Sequence, residues 1–424
     1  MKVLVLNCGS STLKFQLIEI GEASDKERKL ARGIVDRIGG PAAYTFKADS
    51  GALEEKTLAV ADHEVAVRLV VDWLREQSEL GSIDAVGHRV VHGGDRFVSS
   101  VLIDDAVIAV LEALCEIAPL HNPGAVSGIR AARKILGDGV PMAAAFDTSF
   151  HHTIPEHAAI YAIPFEISER HRIRRYGFHG LAHQYDIARY AELIGKPAAE
   201  ITAVTLHLGN GCSATAIRNG QSIDTSMGFT PLEGLVMGTR SGDLDPALVT
   251  YLARKERVDA VEIDSWLNQR SGLLGLSGLS NDMRELTAAY RTNPRARLAV
   301  DMFCYRARKY LGAYLAVLGG AAQAVIFSGG IGENAPMVRK NILSGMEWCG
   351  LSLDDAGNNS VIGRDGRIST TQSKLDVFII HTDEEAIIAR ETVRVCCNQR
   401  FGTGGINRNG RKERKKNPNR RGGF

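Results

Sequence analysis

Apolar positions follow two rhythms along this chain, short and nearly unbroken in some stretches, spaced by three and four in others. Two stretches of the first kind mirror each other. Leu4-Val5-Leu6 enters the small-residue turn Asn7-Cys8-Gly9-Ser10-Ser11 and leaves through Leu13, Phe15 and Leu17. Val204-Thr205-Leu206-His207-Leu208 enters Gly209-Asn210-Gly211 and leaves through residues 212–217. Each pattern predicts a tight β-hairpin. With Leu6 under Leu206 and Gly9 under Gly209, the copies align at a constant offset without a gap. Such turns let backbone N–H groups approach an anion closely. The pair reads as a duplicated phosphate-binding hairpin, one per domain, facing each other across a cleft.

The same reading places the other elements. Residues 34–59 alternate apolar and polar positions between Gly-rich breaks, predicting further strands. Asp62 caps a helix whose apolar face is Val65, Leu69, Val70, Trp73 and Leu74. Helices are predicted over 104–118, stopped by Pro119, then to Leu136, from Leu181, and from Pro246 at a first helical position. Helices with polar connections fill 247–318, interrupted at 277–281, and a last one runs from Thr382 to about Val395. Strands are predicted over 83–94, ending in a glycine pair, and over 141–146, 324–327 and 376–380. Both 83–94 and 324–330 run a strand into Gly-Gly, a second sign of duplication. Strands alternating with helices make this an α/β protein, and 424 residues exceed one ordinary core, so two domains are expected.

Composition narrows the class. The chain is 44% apolar and 24% charged, with no apolar run of membrane-spanning length and no secretory leader after Met1-Lys2, so a cytoplasmic protein without a membrane is expected. Its seven cysteines lie scattered without a Cys-x-x-Cys pair, which argues against a disulfide framework or a zinc ribbon. The net charge is +2, but residues 400–424 hold nine Lys or Arg against Glu413 alone. That tail therefore carries +8 and the remainder −6. Its composition predicts disorder; attraction to nucleic acid is the less favoured reading of it.

Candidate chemistry gathers at the ends of these elements. Arg89, inside a predicted buried strand, needs an anion, and a ligand in a cleft is preferred over an internal ion-pair partner. His121 lies in a turn where a core histidine is equally ordinary. Asp147 ends a strand, where α/β proteins place catalytic groups, although a helix cap is the plain alternative. His179 and His183 have the spacing of a zinc helix but lack its glutamate, so a loop presenting His179 is preferred. The Gly-, Ser-, Thr- and Asp-rich stretch 224–246 surrounds a single arginine, Arg240, and reads as an ordered binding loop. Glycines in 328–336 suit close approach of a nucleotide. The acids of 382–385 serve either the helix dipole or a metal.

Taken together, nine stretches in order resemble the acetokinase family, within the sugar kinase, actin and heat-shock ATPase superfamily. They are 7–14, 87–94, 119–123, 145–149, 175–183, 207–213, 224–246, 329–336 and 382–385. The resemblance spans residues 1 to about 396 and says nothing of the tail. It implies two duplicated ribonuclease H-like domains of the actin and hexokinase type with a cleft between them. Their bounds would be 1–148 joined by a C-terminal helix at about 383–396, and 149–382. It implies ATP + acetate ⇌ ADP + acetyl phosphate, with Mg²⁺ or Mn²⁺ in its place, usually in a homodimer. Carried over residue by residue, Asp147, His179 and Arg240 are catalytic. Arg89, Val91, Leu120, His121, Phe178 and Pro231 bind the acid. Lys14, His207, Leu208, Gly209, Asn210, Gly211, Asp282, Met283, Arg284, Gly330, Ile331, Gly332, Glu333 and Asn334 contact the nucleotide, and Asn7 and Glu384 hold the metal. A carboxylate nucleophile needs no general base, so Asp147 is expected to orient metal or substrate instead. The rivals are a propionate or butyrate kinase with a deeper pocket, a sugar kinase, and an ATP-driven switch.

Overall fold

The structure is a computed structural model that describes residues 1–21, 27–77 and 80–400. The expectation of disorder over 400–424 falls, from residue 401 on, outside the described residues. Strands β1 (Lys2–Cys8), β2 (Thr12–Ile20), β3 (Glu27–Asp36), β4 (Gly40–Ala48) and β5 (Leu53–Val60) open the chain. With β6 (Ala85–Val90), β7 (Val101–Leu102) and β8 (Met142–Phe146) they make one sheet, in the order β5-β4-β3-β2-β1-β6-β8-β7. A second sheet contains β9 (Ala203–Leu208), β10 (Cys212–Arg218), β11 (Gln221–Thr225), β12 (Ala324–Ser328), β13 (Gly366–Arg367) and β14 (Asp376–Ile379). Its order is β11-β10-β9-β12-β14-β13.

The duplication is visible in the pairing. In each sheet a three-stranded antiparallel run, β3-β2-β1 or β11-β10-β9, adds two parallel strands, β6 and β8 or β12 and β14. Two α/β sheets built on one plan give the two ribonuclease H-like units that the resemblance implied. Both central strands are apolar on both faces because each sheet is covered on both sides. Along β1, Leu4 and Leu6 enter a core with Trp73 and Ala132, whereas Val3 and Val5 enter another with Ile387 and Ile388.

The last helix, Glu384–Arg400, therefore belongs with the first sheet although it is the last of the described elements. It presses closely enough that a Cβ at Gly87 would lie 2.5 Å from the Thr392 hydroxyl. It also runs about a turn beyond the predicted stop near Val395. The helix Gly180–Leu193 joins the halves: Leu181 packs in the core beneath the first sheet, and Ile187, Tyr190 and Ala191 pack beneath the second.

Two boundaries differ from expectation. The helix predicted over 104–118 is Asp105–Ala113, after which Cys115 and Glu116 bond to carbonyls three residues back. The turn tightens before Pro119 acts. Pro246 immediately precedes the helix Ala247–Glu256 and is not its first residue; Asp245 accepts from the Ala247 amide there.

Asp186 sits fully buried in the joining helix, accepting hydroxyl hydrogen bonds from Ser328 at the end of β12 and Thr382 before the last helix. Burial pushes its carboxyl up to about 8, against the two hydroxyls. A folded-state value raised above the unfolded one gives stability present in full at low pH and lost as pH climbs through about 8. Asp186→Asn should flatten that decline. An unchanged slope of stability against pH between 5 and 8, in urea titrations, would contradict it.

Candidate active site

Parallel strands β6 and β8 carry Arg89 and Asp147 to the same end of the first sheet: Arg89 pairs with Ala145 in register, and Asp147 follows the last β8 residue. The guanidinium grips the Asp147 carboxylate with both edges, Nε to Oδ1 at 3.0 Å and Nη2 to Oδ2 at 2.7 Å. Its remaining nitrogen meets Glu384 at 3.2 Å. Of the two readings of Arg89, the structure shows the internal ion pair. Burial pushes the Asp147 carboxyl up while Arg89 pulls it back; a bidentate guanidinium keeps the pair ionised. For Glu384 the balance falls the other way. Burial works against its charge, but Arg89, His207 and Lys14 hold it below the usual carboxylate value. Lys14 stands opposite Asn7 in the first hairpin, so that hairpin faces the Glu384 carboxylate.

His179 comes from the other side. It occupies the left-handed region at φ +56° and caps the helix that begins at Gly180. The Gly180 amide donates to the Asp147 carbonyl at 2.8 Å, and a Cβ there would come within 2.0 Å of that oxygen. Only glycine lets the two chains approach so closely. The His179 ring lies 5.0 Å from that of His207. Arg240 completes the group. A Cβ at Gly211 would be 3.3 Å from His179 Nε2 and 3.7 Å from Arg240 Nη1, so hairpin tip, imidazole and guanidinium converge. Arg240 donates to the Pro231 carbonyl at 3.2 Å and touches the Met237 sulfur, with no carboxylate partner among the described residues. Burial, then Arg240 and Arg89 together, push His121 down to about 4. Both guanidiniums thus act on one side chain.

Two cavities lie beside this group, although Arg89, His179, Gly211 and Arg240 are themselves in the wall of neither. The larger, about 890 Å³, is lined by Gly209, Asn210, Asp282, Met283, Arg284, Gly330, Ile331 and Asn334, all named from the sequence. Asn281, Thr287 and 335–337 also line it and were missed. Asn281 donates to Asn210 at 3.0 Å, a contact between segments 71 residues apart that no local pattern announces. His207, Leu208, Gly211, Gly332, Glu333 and Lys14 do not line it. Leu208 is buried in the core, and Glu333 turns away to His381 and the Thr382 amide.

The smaller cavity, about 80 Å³, has Leu120, His121, Phe178 and Pro231 in its wall. Val91 is not there; it packs on the second core. Arg89, expected to bind the acid, is not in the wall either, and missed by the sequence were residues 117–119 and the polar His92, Thr230, Asp264 and Asn268. His92 accepts from the Gly94 amide at Nδ1, leaving its Nε2–H buried without a partner. The pocket is less apolar than expected.

Comparison with known proteins agrees with this geometry. The family model described as the acetokinase family matches residues 2–390. An acetate kinase from Chloroherpeton thalassium is 49% identical over 412 residues, covering 93% of this chain and 99% of that protein. Among solved structures, Porphyromonas gingivalis acetate kinase superposes with a TM-score of 0.87 at 40% identity, and a Francisella tularensis propionate kinase with 0.86 at 40%. Each covers 93% of this chain and 99% of its own. A shared plan across nearly the whole length, with phosphotransferases throughout these relatives, shows that the chain belongs to the acetokinase family.

Proposed function

We propose that this enzyme transfers the γ-phosphoryl group of ATP reversibly to acetate, giving acetyl phosphate and ADP by direct in-line attack of the carboxylate. One observation carries the reading: the group of Arg89, His179 and Arg240 has a nucleotide-sized cavity beside it at Gly209 and Asn210, next to Gly211, and a pocket of about 80 Å³ beside it at Phe178, next to His179, and at Pro231, which Arg240 contacts. Phosphoryl transfer depends on positioning and charge neutralisation. Bringing a carboxylate against a phosphate oxygen at ~4 Å costs roughly 4 kcal/mol at an effective dielectric near 20. Arg240, which has no carboxylate partner among the described residues, is the cation placed to offset it. A neutral sugar would give that charge nothing to meet. The incoming acid is already ionised, so Asp147 has no proton to remove, and its place is to hold Arg89 and orient what binds beside it.

Lobe 1–148, with the helix at 383–396, and lobe 149–382 would close on the substrates and exclude water as competing acceptor. Among the described residues no three His, Cys, Asp or Glu side chains are grouped to hold a metal. Mg²⁺ characteristically takes one or two carboxylates plus phosphate oxygens and waters. The ionised Glu384, with Asn7 on the facing hairpin, fits an ion that arrives with the nucleotide. When bound, Mg²⁺ (or Mn²⁺) would neutralise charge on the transferring phosphoryl group. A homodimer is the state the family resemblance supports. No described helix is long and apolar enough to cross a membrane.

Hydroxylamine trapping tests the reaction: acyl hydroxamate should form with ATP and acetate and not with ATP and glucose. Product with neither acid nor sugar overturns it. A second reading, propionate, has support in the similar Francisella tularensis structure. One methylene is worth about 1–3 kcal/mol in such a pocket. Because the cavity is small, kcat/KM should fall by about tenfold or more at each step from acetate to propionate to butyrate. Equal values across the three acids would show that this pocket does not hold the acyl chain.

A further inference from the structure

Two buried groups near the site, His183 and Ser213, have no part in the mechanism above, yet both connect to His179. Ser213 Oγ lies 2.9 Å from His179 Nδ1 and 2.8 Å from His183 Nε2. His183 Nδ1 lies 2.7 Å from Thr205 Oγ1. His183, Ser213 and Thr205 are all fully buried. We propose that Thr205, His183 and Ser213 form a one-way hydrogen-bond relay that holds His179 as its Nε2–H tautomer, making them positioning residues for phosphoryl transfer.

The direction follows from satisfying every buried proton. The Thr205 hydroxyl has His183 Nδ1 as its one side-chain partner among the described residues, and a buried hydroxyl hydrogen left without an acceptor is costly. Thr205 therefore donates, and His183 Nδ1 is bare. A neutral imidazole then carries its proton on Nε2, which donates to Ser213. With that lone pair occupied, the Ser213 hydrogen points to its other neighbour, His179 Nδ1. The proton of His179 is left on Nε2. That nitrogen has no protein partner among the described residues and faces Gly211 and Arg240. Run in reverse, the relay would strand the Thr205 hydrogen and present a bare lone pair to an anionic phosphoryl group. Burial, with neighbouring histidines, keeps His183 well below the ordinary histidine value, and burial with His207, Arg89 and Arg240 does the same for His179. Both rings are then neutral, so tautomer and not charge decides whether His179 can donate.

A second histidine holds the backbone of the same residue. His151 Nε2 donates to the Phe178 carbonyl at 3.0 Å, while the Ser222 hydroxyl meets its Nδ1 at 2.9 Å. The peptide entering the left-handed His179 is thereby fixed from behind.

The relay rests on the reading of the site given above, but one measurement does not. ¹⁵N spectra of the wild-type protein, with His179 assigned by its loss in His179→Gln, should show a protonated Nε2 and a bare Nδ1. A protonated Nδ1 overturns the relay whatever the enzyme's substrate, and failure to phosphorylate acetate overturns only the functional reading. Thr205→Val keeps the shape and removes the donor. It should mix the His179 tautomers and lower kcat about 10- to 100-fold, as loss of outer-shell orienting partners does. KM for ATP and acetate should stay within a few-fold. Ser213→Ala should do the same, and Ser213→Thr should restore most of the rate. Wild-type kcat with an unchanged ¹⁵N pattern in a folded Thr205→Val or Ser213→Ala protein would refute the proposal.

Discussion

Arg240→Ala should lower kcat by at least about two orders of magnitude, the scale for losing one donor to a developing transition-state charge, while leaving the thermal midpoint almost unchanged. The split follows from what Arg240 touches. Its contacts in the free enzyme are a backbone carbonyl and a thioether, and burial depresses its guanidinium with no carboxylate to compensate. Removing it breaks no ion pair and relieves a half-desolvated charge, so folding loses little. The substrate complex loses the cation that offsets repulsion between carboxylate and phosphate. Arg240→Lys should recover only part of the rate, because an ammonium lacks the planar fork that spans two oxygens. Steady-state turnover and thermal melts on the same preparations check both halves. Near wild-type turnover would remove Arg240 from the reaction.

The features legible in the sequence were those set by local rules. Both hairpins were readable because small-residue turns between apolar runs specify their own geometry, and Asp62 is the cap its position predicted, accepting from the Val65 amide. The last helix was located and the family resemblance implied its return to the first domain, but not its length, nor the packing of Ile387 and Ile388 against Val3 and Val5, which is a property of the assembled core. In the site, the residues that proved hard to read were those that share a sequence neighbourhood without sharing a direction. Val91 adjoins Val90 yet points to the other core. Glu333 lies among nucleotide-lining glycines but pairs with His381. Asp264 and Asn268, one turn apart on the helix Ala260–Gln269, reach the small pocket from far along the chain. Arg89 shows why a residue type is not a role: the same buried guanidinium satisfies the internal carboxylate of Asp147 and also meets Glu384, expected from the sequence to hold a metal.

That double duty gives Arg89 the second large expected effect, opposite in kind to that of Arg240. Arg89→Met keeps much of the side-chain volume and removes the bidentate partner of Asp147, a carboxylate 1% exposed. Breaking a buried pair by deleting one member commonly costs about 3–5 kcal/mol, so this variant should lose stability as well as at least about 10² in kcat/KM. The loss should also change with pH. Without the guanidinium, burial acts on Asp147 unopposed and raises its folded-state pKa further above the unfolded value. Stability is then fully present at low pH and lost as pH rises, and the deficit against wild type should be smaller at pH 5 than at pH 8. Adding Asp147→Asn removes the stranded charge. The double variant should regain most of the stability and none of the activity, a non-additivity expected of residues in direct contact. Glu384 loses its 3.2 Å contact with Arg89 in both variants and keeps His207 and Lys14 in both, so its share of the cost is common to the two and the difference between them reads Asp147. Urea titrations at the two pH values decide the matter. If Asp147→Asn failed to rescue Arg89→Met, the cost would have to lie elsewhere than in an unpaired Asp147. If the double variant turned over normally, the clamp would not be needed to bring the two anions together.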